Sequence, residues 1–114
     1  MSQVKKEVDK TLKISESVIA GVVTNAVKEV EGVNGIAPVK KSLKQIWLKE
    51  ETFGEIRVDT VDDVLVLSIG IILENGAKAV LVSEYVQQAV KNAVQNMLGL
   101  TVTKVNVTVR GVKI

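Results

Sequence analysis

The residues best suited to chemistry in this sequence are three carboxylates at a predicted turn. Asp59, Asp62 and Asp63 stand together in "VDTVDDVL", and neighbouring carboxylates can exchange protons or bind a hard cation. An Asp-Asp pair is also common in tight turns, because its side chains hydrogen-bond the local backbone. We therefore interpret these residues as turn formers and predict neither a metal site nor acid-base catalysis at this position.

The composition removes most other catalytic chemistries. The 114 residues include no histidine and no cysteine, so the chain has neither the commonest general base nor a thiolate nucleophile. It also lacks a G-x-x-x-x-G-K-[ST] loop and a G-x-G-x-x-G series, the glycine-rich motifs that bind nucleotides. We predict a protein that is not an enzyme and that uses no cofactor or metal.

A row of polar residues near the C-terminus is the second candidate for reactivity. In "VNVTVRGV", residues 105–112, Asn106, Thr108 and Arg110 alternate with valines, as in a strand with one buried face. The simplest interpretation is an exposed row, with Gly111 marking a bend or bulge where the strand ends. Arg110 is kept as a candidate contact residue.

Two helices are predicted from apolar residues at helical spacing. They cover residues 16–31 and 80–98, and each is followed by a glycine suited to a left-handed helix ending, Gly32 and Gly99. The second helix has an amide-rich exposed face. That face is either ordinary solvated surface or a protein contact, because neutral amides are easier to desolvate than charges; it comprises Gln87, Gln88, Asn92, Gln95 and Asn96.

Three strands are predicted from alternating residues, over 55–61, 64–73 and 101–110. The first two form a hairpin around the Asp-Asp turn. The succession of strand, helix and strand favours parallel pairing of the last two strands. We therefore predict an α+β fold: a two-layer sandwich in α-β-β-α-β order, with a three-stranded mixed sheet and both helices on one face.

The predicted strand 64–73 is apolar on both faces, which is typical of a central strand. Val64, Val66 and Ile72 fall on the face opposite the helices. We predict that part of this face is covered, and we take these three residues as candidate interaction residues.

The segment 36–54 is the least regular part of the chain. Lys40, Lys41 and Lys44 precede Trp47, the only tryptophan. One interpretation is a variable basic loop that its aromatic residue fixes to the domain. The alternative is a short basic amphipathic patch that contacts an anionic membrane surface or a protein partner.

Domain organisation and location follow from length and charge. We predict a flexible segment over 1–13 and a single domain over 14–114. No 18-residue stretch is apolar and free of charge, and the N-terminus has no apolar signal core, so we expect neither a spanning helix nor a signal peptide. A net charge of +2 does not favour nucleic-acid binding.

Three blocks of the sequence resemble the alkaline shock protein family, the envelope stress response proteins of mainly Gram-positive bacteria. They are "ISESVIAGVVTNAVKEVEGVNG" at 14–35, "SEYVQQAVKNAVQNMLGL" at 83–100 and "VTKVNVTVRGVKI" at 102–114. The resemblance implies a small cytoplasmic protein linked to cell-envelope homeostasis, with any membrane contact indirect or peripheral. Some members self-assemble and are held by a membrane-anchored relative, and others are associated with fatty-acid metabolism.

Two functions follow as hypotheses. The first is a non-enzymatic interaction module that forms a homo-oligomer or docks on a membrane-anchored protein partner. The second is a regulatory domain that binds an anionic ligand, such as a lipid head group, an acyl carrier or RNA, through Lys40, Lys41, Lys44 and Arg110.

Overall fold

The computed structural model describes residues 16–38 and 54–114, which form two helices and four strands. In chain order they are α1 (Glu16–Lys28), β1 (Val33–Ile36), β2 (Ile56–Val61), β3 (Val64–Leu73), α2 (Ala79–Leu98) and β4 (Val102–Val112). The predicted flexible segment 1–13 and residues 39–53 of the predicted basic loop lie outside the described residues. The predicted α+β class is confirmed, but the predicted α-β-β-α-β order is wrong, because one strand is missing from it.

Strand β3 is the centre of the sheet, since it pairs with each of the other three strands. It pairs with β4 in parallel along nearly its whole length and with β1 and β2 antiparallel. Residues 64–69 of β3 face β2, and residues 71–73 face β1. Strands β1 and β2 therefore lie end to end along one edge of β3, while β4 occupies the other edge. The sheet is mixed as predicted, with four strands instead of three.

Strand β1 has no sequence pattern of its own that predicts it. Its four residues, "VNGI", contain an Asn-Gly pair that is typical of turns. It becomes a strand because it reaches the end of β3, where Val33 pairs with Leu73 and Ile36 pairs with Ile71. Tertiary pairing thus overrides the local preference, and the predicted boundary of the loop at residue 36 falls inside this strand.

One hydrophobic core lies between the helices and the inner face of the sheet. Alternate residues of β3 supply its centre, and each is 2% exposed or less: Leu65, Leu67, Ile69, Ile71 and Leu73. Burial of a side chain of this size stabilises the fold by about 1.5–3 kcal/mol. Both helices contribute to the same core through apolar stripes that include Val23 and Val27 on α1 and Val86, Val90 and Val94 on α2. The predicted placement of both helices on one face is confirmed.

The two helix ends differ in how well the sequence predicts them. Helix α2 ends at Leu98, and Gly99 has the predicted left-handed backbone with φ 67°. Helix α1 ends at Lys28, three residues before the predicted end at 31. Gly32 is left-handed as predicted, with φ 97°, but it lies in the turn into β1, where an added Cβ would be 2.7 Å from Val82 Cγ2. Close approach of this turn to α2 explains the earlier end.

Candidate functional site

The outer face of the sheet, which is the face opposite the helices, carries the predicted interaction residues of β3. Val64, Val66 and Ile72 are half-buried there. The register places Val61 beside Val64, and Val61 is 52% exposed. Within residues 16–38 and 54–114, both helices pack on the other face. The described part of the protein therefore presents apolar side chains at both ends of an open sheet face, with Ser68 and Gly70 between them. We call the group at the hairpin end, Val61, Val64 and Val66, the apolar patch; Ile72 lies at the other end.

Gly70 marks the point on β3 where its partner changes from β1 to β2. Its carbonyl accepts from the Ala37 N–H at 2.8 Å, and its own N–H donates to the Glu55 carbonyl at 2.9 Å. The Glu55 carboxylate lies over Gly70 on the outer face, so that an added Cβ would be 2.6 Å from Glu55 Cδ. A side chain at position 70 would have to displace this carboxylate, because the carboxylate occupies the space that the side chain needs.

Arg110 holds that carboxylate from the opposite side of β3. Its Nε donates to Glu55 Oε1 at 2.9 Å and its Nη2 donates to Oε2 at 2.6 Å. These hydrogen bonds, together with the negative charge of Glu55, raise the pKa of Arg110 above its usual value. The Arg110 guanidinium is therefore bound within the protein, and the ion pair links β4 to the start of β2 across the central strand.

A bulge places Arg110 in this position. In the β3–β4 ladder Ile71 pairs with Val109, and the next residue, Ile72, pairs with Gly111. Arg110 is the extra residue, and bulges commonly redirect a side chain in this way. A bulge is present next to Gly111 as predicted, but the strand does not end there, since β4 continues to Val112. The consequence of the bulge is the reach of Arg110 toward Glu55.

Other polar contacts on the outer face are weaker. Asn106 Nδ2 lies 3.4 Å from Ser68 Oγ, and Arg57 Nε lies 3.3 Å from Asp59 Oδ2. The first contact joins β4 to β3 and the second lies within β2, so Asn106 and Arg110 of the predicted exposed row are surface partners of Ser68 and Glu55. The polar residues around the apolar patch are thus mostly paired with one another.

The backbone conformation of the turn explains why carboxylates stand at the hairpin. Asp62 and Asp63 have φ 50° and 68°, and two consecutive left-handed residues are typical of a type I′ hairpin turn. The loop is two residues long, since Val61 pairs with Val64. In the part of the chain that the structure describes, no group of three or more acidic side chains could hold a metal ion.

A second surface, which we call the lateral surface, lies where α2 meets the outer edge of β4. Gln87 Nε2 donates to the Val105 carbonyl at 3.2 Å. A recess of about 460 Å³ lies beside this contact, lined on the helix by Glu84, Gln87, Gln88 and Lys91 and on the strand by residues 103–106. The predicted amide face of α2 overlaps this surface only at Gln87 and Gln88.

A third feature is a groove between the two helices, with a volume of about 620 Å³. Its floor contains the small side chains of Ala26, Ala89 and Ala93, and exposed Met97 lies at its rim. No charged side chain is buried among the described residues.

The sequence analysis located some of these residues and missed others. Lys40, Lys41, Lys44 and Trp47 lie outside the described residues. Glu55 and Gly70 were not among the candidates, because their importance comes from a contact between distant parts of the chain. Glu84 was missed too, although its spacing of seven from Lys91 can be read from the sequence.

The fold and its surfaces define a small α+β domain with an open sheet face and an open strand edge among the residues described. Its fold is similar to that of the MamM CTD: MamM-CTD 215-293 has a TM-score of 0.54 at 13% identity, over 85% of this chain and 99% of that chain. A copper form of a variant of that CTD gives the same TM-score, 0.54, at 13% identity, over 85% of this chain and 98% of that one. At this identity the likeness concerns the fold alone.

The chain belongs to the alkaline shock protein 23 family, described as having a cell envelope-related function, whose model matches residues 4–114. This confirms the resemblance to alkaline shock proteins. Spy1614 of Streptococcus pyogenes serotype M6 is 30% identical over 109 residues, covering 93% of this chain and 90% of that protein. YloU of Bacillus subtilis strain 168 is 33% identical over 104 residues, covering 89% and 87%.

Neither helix of the described residues has the character of a membrane span. No helix formed by residues 16–38 and 54–114 combines the length and the apolar character that crossing a bilayer requires.

Proposed function

We propose that this protein is a non-enzymatic interaction module of the cell envelope system, which self-associates or docks on a membrane-linked protein. The observation that carries the proposal is the open outer face of the sheet, where an apolar patch lies beside a fixed ion pair. Membership of a family with a cell envelope-related function supports the cellular context.

The apolar patch has the character of an interface centre. Val64 and Val66 are already half-buried, so a flat partner surface need remove only the remaining exposure. Protein interfaces combine such an apolar centre with a polar rim. Here the rim is formed by the ion pairs Arg57–Asp59 and Arg110–Glu55.

The rim is also organised in advance. Ordering a long side chain at an interface costs about 0.5–1.5 kcal/mol, and Arg110 already has its guanidinium fixed by two hydrogen bonds to Glu55. A partner therefore meets a surface whose largest polar side chain is ordered before binding.

The acidic side chains at the hairpin and on the outer face support a non-enzymatic function. Asp62 and Asp63 form the hairpin turn, Asp59 contacts Arg57, and Glu55 is held by Arg110. Each of these carboxylates has a structural explanation. The alternative of an anionic ligand receives no support from Arg110, because its charge is already compensated by Glu55.

The proposal is tested by adding charge to the outer face. Val66→Glu combined with Ile72→Glu places one carboxylate in the patch and one at the other end of the outer face, and their burial in an interface should cost several kcal/mol, on the order of 3–5. The matched control, Val80→Glu with Met97→Glu, adds the same charge at two exposed positions of α2. Light scattering reports self-association, and co-purification from the native host in mild detergent reports partner binding.

We expect the control to behave as wild type and the outer-face variant to lose partner binding. The proposal is wrong if both variants keep their fold by circular dichroism and the outer-face variant retains every association of the wild type.

A further inference from the structure

The edge of β4 that faces away from β3 carries free backbone hydrogen-bonding groups. In a parallel ladder, alternate residues direct both the N–H and the C=O toward the neighbouring strand. The Thr101 carbonyl accepts from Leu65, and Lys113 donates to Leu73. The backbone carbonyl of Val105 points away from β3, because it accepts from Gln87. By alternation, Val107 and Val109 also direct their backbone groups outward.

Within the described residues, β3 is the only strand that pairs with β4. The straight part of this edge runs from 104 to 109, between bulges at Thr103 and Arg110. Lys104 is its only charged residue, and it has no proline. Exposed edges are commonly protected by charges, prolines or a covering element, and an edge with little protection is a template for another strand. Here Lys104 and the Gln87 contact at Val105 protect one end and leave Val107 and Val109 open.

Helix α2 presents a charge pattern beside this edge that can pair with itself. Glu84, Gln87, Gln88 and Lys91 follow one another at intervals of three, one and three, so they form one stripe on the helix. All four are exposed. Two such helices, packed antiparallel about the point between Gln87 and Gln88, place Glu84 of each opposite Lys91 of the other.

The strand edge and the helix stripe are both compatible with the same two-fold axis. A two-fold axis perpendicular to the sheet sets two β4 strands antiparallel and keeps both α2 helices on the same face, also antiparallel. The recess lined by both elements places the helix stripe next to residues 103–106 of the strand. One axis can therefore bring both self-complementary features together, as an isologous interface requires.

We propose that the lateral surface binds a second copy of this chain, with β4 paired antiparallel to β4 and with reciprocal Glu84–Lys91 ion pairs between the α2 helices. This inference rests on the self-association in the proposed function; it assigns self-association to the lateral surface and leaves the outer face for docking on a membrane-linked protein. The two sheets become continuous, and the half-buried Val107 and Val109 gain cover from their counterparts. The outer faces of both copies remain open on the same side for a further partner.

The decisive experiment is charge reversal followed by mixing, read by sedimentation velocity. Glu84→Lys gives a chain with lysine at positions 84 and 91, and Lys91→Glu gives a chain with glutamate at positions 84 and 91. Each variant alone should dimerise about tenfold more weakly than wild type, because exposed pairs contribute up to about 1 kcal/mol each and two pairs become repulsive. An equimolar mixture should recover wild-type affinity.

A second pair of variants tests the strand edge. Val107→Pro removes an outward N–H, which the monomer tolerates on an edge, whereas Val107→Ala shortens the same side chain and keeps the N–H. We expect the proline variant to be monomeric and the alanine variant to dimerise.

The outcomes separate this inference from the function on which it rests. If the wild type dimerises but charge reversal, mixing and Val107→Pro leave the dimer unchanged, the lateral surface is the wrong surface and self-association stands. If the wild type is a monomer at every concentration, both the lateral dimer and the self-association are wrong.

Discussion

The two faces of β3 show how one strand can serve both folding and recognition. Its inner face carries five aliphatic side chains that are at most 2% exposed. Its outer face carries valine, serine, glycine and isoleucine, and the polar contacts above them come from β2 and β4. The inner face therefore determines stability, and the outer face is the surface that we propose for partner contact.

The largest expected effect is on the inner face. Leu67→Ala removes a side chain that is 0% exposed, and the transfer and cavity terms together should lower the free energy of unfolding by about 2–5 kcal/mol. The adjacent Val66→Ala, on the outer face, should lower it by less than about 1 kcal/mol. Urea unfolding measures both. Equal effects would contradict the division between the two faces.

A smaller effect is expected at Gly70, where the Glu55 carboxylate lies close to the backbone of β3. Gly70→Ala introduces a Cβ into the space of the Glu55 carboxylate, and such overpacking should cost about 1–3 kcal/mol. Removing the obstruction with Glu55→Ala should relieve most of the cost in the double variant. A double-mutant cycle from urea unfolding checks this, and strict additivity would show that Glu55 does not fill that space.

The smallest effect is expected from the exposed ion pair itself. Arg110→Ala should lower the free energy of unfolding only slightly, because exposed pairs are screened by water and salt. The pKa of Arg110 is raised above its ordinary value, so its contribution is present in full below that ordinary value and is lost only as pH rises through the folded pKa. The decrease should therefore be the same at about pH 7 and about pH 9, and a decrease that disappears between them would contradict the assignment.

These contrasts also explain how far the sequence could predict the structure. The hairpin, helix α2 and the parallel pairing of β3 with β4 follow from patterns within single segments and from chain order. Strand β1 and the Glu55–Gly70–Arg110 contact do not, because each depends on how distant segments meet. The alternation of β3 puts Gly70 on the outer face, but its contact with the Glu55 carboxylate follows only from the position of Arg110, which holds Glu55 above it.

The position of α1 illustrates the same limit. Gly32 has the left-handed conformation that its residue type predicts, yet the helix ends earlier, at Lys28. The difference arises because the chain must pass close to Val82 before it pairs with the end of β3. The left-handed conformation of Gly32 can thus be predicted from its residue type, whereas the residue at which α1 ends cannot.

The central claim is that the outer face of the sheet is where this protein contacts its partners. The most direct measurement is photo-crosslinking in the native host, with a benzophenone side chain placed at Val66 and, as a matched control, at exposed Val80 of α2. We predict a discrete cross-link from position 66 to a cell-envelope protein, and none from position 80. Cross-links from position 80 alone, or from neither position, would contradict the claim.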